Sequence, residues 1–267
     1  MTMAEQDCCP GCHGSVITTT GDLRRRCVTC GTIWMPERRH YTYDDSYPEK
    51  RYHHHPAVGR CKQITLQTWI RRLGIDLPGR RVLEMGFGSG ATLQWLQNQG
   101  AFTFGQEPVD SNRLSAVQAG IPADRVRASV GDFAGEQFDL ALYLDSFEHV
   151  IEPDAALQEL NTVTSAGAKA IVVLPVGDCV SRRLMGKWWP HDVVDHWVFY
   201  SDGGLTALWQ RSGWQLKRRF YPPKFLSALT FAQTIEYRYG IKIPLGPFAS
   251  SGLWLNFGER GYLFEKS

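Results

Sequence analysis

The residues best placed to do chemistry begin with cysteine. Four of the seven cysteines stand in two pairs, Cys9-Pro10-Gly11-Cys12 and Cys27-Val28-Thr29-Cys30-Gly31. That spacing lets four thiolates close a tetrahedron around zinc, and the glycine after Cys30 permits the tight turn that aims a backbone amide at sulfur. Cys8 adjoins Cys9 and is an alternate ligand, while His13 could substitute only with distortion. A redox role is disfavoured, because redox C-x-x-C pairs open a helix in a βαβ unit and these pairs flank turns. Structural zinc on Cys9, Cys12, Cys27 and Cys30 is therefore expected. Cys61 and Cys179 stand alone and read as small buried apolar residues.

A second cluster is the run Glu84-Met85-Gly86-Phe87-Gly88-Ser89-Gly90-Ala91. Glycines after a strand let the backbone turn sharply and approach a ligand with no Cβ in the way, and the following helix offers unpaired N–H groups to an anion. Gly86, Gly88 and Ala91 also satisfy a dinucleotide-binding pattern, with Glu107 near the distance of a ribose-binding acid. The loop alone therefore leaves a nicotinamide enzyme open.

Further residues narrow the choice. Gly105-Gln106-Glu107-Pro108, Gly131-Asp132-Phe133 and Asp145-Ser146-Phe147-Glu148-His149-Val150 follow in order, each at a predicted strand end. With Glu84 two positions before the first glycine, the series resembles the motifs of class I S-adenosylmethionine-dependent methyltransferases over roughly residues 58 to 220. The resemblance implies that Glu84, Gly86, Phe87, Gly88 and Gly90 form the cofactor loop, Glu84 orienting the cofactor's amino end. It implies that Glu107, followed by Pro108, holds both ribose hydroxyls. Asp132 would receive the adenine amino group, Phe133 would pack on the ring, and Asp145 and Ser146 would lie near the methionine end.

The elements that must position these residues follow from periodicity. Apolar residues at Ile64, Leu66, Trp69, Ile70 and Leu73 fit an amphipathic helix from about Val58 to Leu73, ended by Pro78-Gly79. Strands are expected at Arg81 to Met85, Phe102 to Gln106, near Val126, at Phe138 to Leu144 and at Ala168 to Leu174. Helices are expected after Gly90, from Asp110 and from Pro153 to about Thr162. The alternation predicts an α/β, Rossmann-like, doubly wound and mostly parallel sheet. A helix from Asp202 to Arg211, a strand from Trp214 to Phe220, an insertion of a helix and an irregular segment at about 222–250, and a last strand at Gly261 to Glu265 complete a domain of residues 58–267. A zinc ribbon of residues 1–34 and a connector of 35–57 precede it. His53, His54 and His55 in that connector read as a solvated turn.

Methyl transfer from a sulfonium requires a nucleophile held in line, and a base if that nucleophile carries a proton. Candidate bases are His149 after the fourth strand and His191, Asp195 and His196 in the segment 176–200. That segment has the composition of a lid, with Trp188, Trp189, Trp197, Phe199 and Tyr200 as apolar walls. His196 also aligns with a histidine found there in many small-molecule and lipid-precursor methyltransferases. The competing role for His196 and His149 is structural, bonding backbone carbonyls or shaping the pocket.

Bulk composition excludes more than it selects. The 267 residues are 43% hydrophobic, with 29 basic and 27 acidic residues. A net charge of +2 gives no electrostatic reason to favour nucleic acid. Apolar stretches such as Ala170 to Val176 end well before the roughly 18 residues of a membrane span, and the N-terminus lacks the order of a secretory signal, so a cytoplasmic protein is expected. The leading function is methylation of a small metabolite at O, N or C. An RNA base methyltransferase, using Arg24-Arg25-Arg26 with Arg38 and Arg39 as phosphate contacts, and a non-catalytic cofactor-binding scaffold are the alternatives.

Overall fold

The computed structural model describes residues 8–15, 17–20, 24–36, 56–193, 195–246 and 251–267. The histidine run and Arg38 and Arg39 of the connector lie outside the described residues. Three short strands, β1 (Ile17–Thr19), β2 (Arg25–Cys27) and β3 (Ile33–Trp34), carry the cysteine pairs at their turns. Then come α1 (Pro56–Leu73), β4 (Arg81–Met85), α2 (Ala91–Asn98), β5 (Phe102–Gln106), α3 (Asp110–Gln118), β6 (Val126–Arg127), β7 (Phe138–Leu144), α4 (Pro153–Thr162) and β8 (Thr164–Pro175). This is the predicted alternation. Pro153 opens α4 at the first turn, where a missing N–H costs nothing.

The chain continues through α5 (Val180–Met185), β9 (Val198–Phe199), α6 (Asp202–Arg211), β10 (Trp214–Phe220), β11 (Lys224–Ser227), α7 (Ala228–Tyr239), β12 (Gly252–Leu255) and β13 (Glu259–Lys266). Seven strands form one sheet in the order β10-β13-β8-β7-β4-β5-β6. Strands β4 to β8 run parallel, and β13 inserts antiparallel between β8 and β10. The strand order turns back between β4 and β7, the switch point at which open α/β sheets bind ligands beyond their carboxyl ends. Among the described residues no helix is long and apolar enough to cross a membrane.

Two apolar layers sandwich the sheet. On one side Leu66, Trp69 and Ile70 of α1 pack on Val82, Leu140, Leu142 and Ile171. On the other, Trp209 stacks on Phe264 with ring centroids 4.6 Å apart and meets Trp214, Tyr143 and Phe147 edge-on or tilted. This second core also takes in Cys9, Cys27, Ile33 and Trp34. A three-stranded ribbon cannot bury a hydrophobic face by itself. It does so here by pairing β3 with β9, giving a four-stranded sheet β1-β2-β3-β9 that crosses from the N-terminal segment into the α/β domain.

Two segments differ from their sequence-based description. In the stretch 176–200 Leu184 and Trp188 are exposed, whereas Trp189 and Val198 to Tyr200 are wholly buried and belong to the core. The insertion contains a hairpin, β11 with β12, in addition to the expected helix. Gly252 there faces the Phe225 ring, where a Cβ would come within 2.2 Å.

Candidate active site

Beyond the carboxyl ends of β4, β5 and β7 lies a cavity of about 330 Å³. The turn after β4 is built to be bare: Gly86, Gly88 and Gly90 all have positive φ, a conformation that costs little only without a Cβ. At Gly86 a Cβ would also press to 3.0 Å from Ser146. Phe87 turns inward instead, lying against Gly105 of β5, where any side chain would collide with the ring at 2.5 Å. Glycine at 105 thus lets the loop sit down on the sheet.

Glu107 is 5% exposed and lines the cavity. Its Oε2 accepts the Gly88 N–H at 2.9 Å and its Oε1 accepts the Val109 N–H at 3.1 Å. Two amides fix the carboxylate plane and leave further lone pairs on both oxygens. Glu84 is buried beneath the loop, with both carboxylate oxygens 2.5 Å from the Thr92 hydroxyl. Burial pushes its pKa up to about 7, against the lowering effect of Thr92 and Lys62.

Asp145 follows β7 directly with φ of 56°, a left-handed conformation uncommon for aspartate. It lines both this cavity and a second one of about 230 Å³, which is walled by Thr65 and Trp69 of α1, Leu144, and Phe225 and Leu226 of β11. Gly86 and Gly88 are shared by the two cavities. Lys224 Nζ reaches Asp145 Oδ2 at 2.5 Å and Glu259 Oε1 at 3.0 Å. Burial alone would lower the lysine's pKa, but the two carboxylates override it and raise it.

These motifs sit on strand ends in the order of a known family. The family described as a methyltransferase domain matches residues 59–218. The chain is a class I S-adenosylmethionine-dependent methyltransferase. Curated relatives include the ubiquinone biosynthesis O-methyltransferases of Aeromonas salmonicida, 25% identical over 54% of this chain and 67% of that one, and of Escherichia coli O157:H7, 30% identical over 51% of this chain and 56% of that one. The chain spans between 42% and 67% of the length of such relatives. In fold it is similar to magnesium protoporphyrin IX methyltransferase of Synechocystis PCC 6803, with a TM-score of 0.52 at 15% identity over 79% of this chain and 84% of that one. A SAM-dependent methyltransferase of Thermotoga maritima superposes with a TM-score of 0.51 at 19% identity, over 79% of this chain and 92% of that one.

The methyltransferase brings Gly86, Gly88, Glu107, Pro108, Asp145, Ser146 and His149 onto the wall of the first cavity and Glu84 and Phe87 onto the second. Gly90 stands behind, as the left-handed N-cap of α2. Asp132 is outside both linings; it accepts the Ser129 N–H at 3.0 Å, a bond that lowers its pKa. Phe133 does not face the cavity expected for it. Its ring is in the core, 6.1 Å from Phe104 and 5.6 Å from Phe138. Ser129 and Val130, four and three positions before it, line the first cavity instead.

The four candidate bases form one polar cluster with different access. His149 lines the first cavity, and its Nδ1 is 2.9 Å from the Asp195 carbonyl oxygen and 3.7 Å from the Asp195 carboxylate. His196 packs edge-on against it at 4.7 Å and approaches Glu148 at 3.7 Å. His191 is outside both linings, 3.2 Å from Glu259. Glu148 is fully buried, and burial with the Asp145 charge holds its pKa well above the usual carboxylate range. Glu259 goes the other way: Lys224 and His191 outweigh its burial and keep it ionised. Asn112 and Lys224 were not singled out from the sequence, since a buried asparagine on α3 and a lysine after Pro222-Pro223 carry no motif.

In the N-terminal segment the sulfurs of Cys9, Cys12, Cys27 and Cys30 converge within 4.8 Å of one another. Cys9 and Cys30 are 3.5 Å apart, as are Cys12 and Cys27, and none is in a disulfide. The Gly11 N–H points at Cys9 Sγ at 3.3 Å. Cys8 is exposed, and His13 is turned to Asp154 at 3.0 Å.

Proposed function

We propose that this methyltransferase transfers a methyl group from S-adenosylmethionine to a hydroxyl of a small metabolite, with His149 as the base. The observation that carries the reading is Glu107, a buried carboxylate tied to the Gly88 and Val109 amides at the rim of a cavity floored by bare glycine. A vicinal diol suits two carboxylate oxygens already fixed in plane. Glu84 and Asp145 supply negative charge for the cofactor's ammonium, and Ser129 and Val130 the adenine side. The bound sulfonium supplies an electrophilic methyl, displaced in line.

The chain's own work is then to place the acceptor and take its proton. Because a carbonyl oxygen only accepts, the bond to Asp195 puts a proton on His149 Nδ1 and makes Nε2 the basic nitrogen of the ring. The Asp195 carboxylate favours the imidazolium formed on proton uptake. The second cavity, joined to the first at Gly86, Gly88 and Asp145, adds apolar walls at Leu66, Trp69, Leu144 and Phe225 around the methionine end that Glu84 would hold. The names of the curated relatives point to an oxygen acceptor on a biosynthetic intermediate.

The cysteine cluster is proposed to hold one structural zinc. A tetrahedron of Zn–S bonds has edges of about 3.8 Å, which the sulfurs of this cluster bracket. Gly14 keeps room for it, since a Cβ there would crowd Cys12 Sγ at 3.3 Å and Cys27 Sγ at 3.4 Å.

The test is incubation of the protein with methyl-labelled cofactor and separated RNA, protein and small-metabolite fractions. Label in the metabolite fraction, released by neither thiolysis nor amide hydrolysis, is the expected outcome. Label confined to RNA would replace the acceptor class, and absence of cofactor binding by calorimetry would sink the whole reading.

A further inference from the structure

We infer that the cysteine ribbon is a clamp on the histidine loop beside His149, with Arg24 as its positioning residue, and that it leaves Glu107 and the glycine loop untouched. The inference rests on the assignment of His149 above. Its first support is the strand pairing itself: Ile33 and Trp34 of β3 pair with Phe199 and Val198 of β9, and the Met35 N–H donates to the Trp197 carbonyl at 2.9 Å. Strand pairing fixes register as well as distance.

Arg24 is the second support. Its guanidinium donates to Asp192 and lies 5.2 Å from the centre of the Phe199 ring, with 12% of the side chain exposed. An ion pair shielded to that degree holds geometry better than a surface pair does. The third support is at α6. Thr32 Oγ1 accepts the N–H of Ser201, the N-cap of that helix, at 3.3 Å. Gly204 sits so close beneath that a Cβ would strike Thr32 Oγ1 at 2.1 Å and approach Cys30 Sγ to 3.1 Å. Ligand Cys30 and helix α6 are thus in direct packing contact.

The loop is therefore held from Asp192 at one end to Ser201 at the other, and between them lie Asp195 and His196, the two residues against His149. No described ribbon residue lines either cavity. Through this loop the ribbon sets the direction of the His149 ring, and its other described contacts, by His13 and Arg211, reach Asp154 of α4. It has no described route of contact to Glu107 or the glycine loop.

The full chain is compared with Arg24→Ala, Arg24→Asp and the swapped pair Arg24→Asp with Asp192→Arg. Amide hydrogen exchange, calorimetry with S-adenosylhomocysteine and an NMR titration of the histidine rings are the readouts. In Arg24→Ala, exchange across 195–201 should quicken about tenfold while β4 and β7 keep their protection. Affinity for S-adenosylhomocysteine should stay within about twofold, and the His149 titration should move. The swapped pair should recover protection that Arg24→Asp alone loses. Unchanged exchange at 195–201, an equal loss in β4 and β7, or no recovery in the swapped pair would each overturn the clamp. A wild-type chain that binds no S-adenosylhomocysteine would instead strike the functional reading and leave the exchange result to stand.

Discussion

His149 Nδ1 lies 2.9 Å from the carbonyl oxygen of Asp195, a residue 46 positions further along the chain. That bond joins the end of the fourth parallel strand to the loop after the fifth, and so couples the wall of the cofactor cavity to the acceptor side. It also selects the tautomer, since the proton must sit on the nitrogen that faces the carbonyl.

If His149 is the base, His149→Gln should lower turnover by about 10²- to 10⁴-fold, with a much smaller effect on cofactor affinity, because its ring bonds the Asp195 carbonyl and not Glu107 or the glycine loop. Transfer of label to the metabolite fraction, set beside calorimetry, measures both quantities. A variant that keeps near wild-type turnover would return His149 to a structural role.

Glu107→Ala should weaken S-adenosylmethionine binding on the order of tenfold to a hundredfold. The substitution removes the acceptor proposed for the ribose hydroxyls and also strands the Gly88 and Val109 amides, and an unmet buried donor costs about 1–3 kcal/mol. Glu107→Gln, which keeps an acceptor for one amide, should fall between. Equal affinity in wild type and Glu107→Ala would remove the ribose assignment.

Much of the sheet was readable because Arg81–Met85, Phe102–Gln106 and Phe138–Leu144 are short, largely apolar runs closed by glycine or an acid, and these and Trp214–Phe220 have the boundaries expected from sequence. Glu107 was readable for the same reason, as an acid at a strand end. Phe133 was not, because whether an aromatic beside an acid turns to a ligand or to the core depends on the space left by Phe104 and Phe138. Strand β9 was missed since two residues carry no period, and its partner β3 is more than 160 residues away in the chain. Lys224 was invisible because its two carboxylates, Asp145 and Glu259, come from distant segments.

Metal analysis should find one zinc per chain, and Cys12→Ser should reduce it. Zinc binding and local folding are linked when thiolates must converge. Removal by chelator should therefore lower the melting temperature and loosen β1 to β3, with the β4–β8 sheet melting last. A chain purified without metal that melts at the same temperature with and without added zinc would refute the assignment.

Trp209 is wholly buried between Phe264, Trp214, Tyr143 and Phe147. Trp209→Ala should cost about 3–5 kcal/mol of stability, read as a shift in the denaturant midpoint. Trp209→Phe should cost less, since a phenyl ring preserves the stack on Phe264 while giving up only part of the volume.

Glu84 gives a dependence on pH whose sign is fixed. Its folded pKa is raised by burial from 4.5 to about 7, so between those values the folded chain keeps a proton that the unfolded chain has released. Stability from this group therefore falls as pH rises through that window and levels off above it. Cofactor affinity should run the opposite way, because only the ionised carboxylate attracts the ammonium of S-adenosylmethionine: binding should tighten as pH rises from about 6 to 8. Near pH 6 binding should also expel a proton, seen as a calorimetric enthalpy that varies with the ionisation enthalpy of the buffer. Glu84→Gln should flatten both profiles. Affinity that stays level across this range in the wild type would mean that Glu84 braces the loop through Thr92 and does not meet the cofactor's charge.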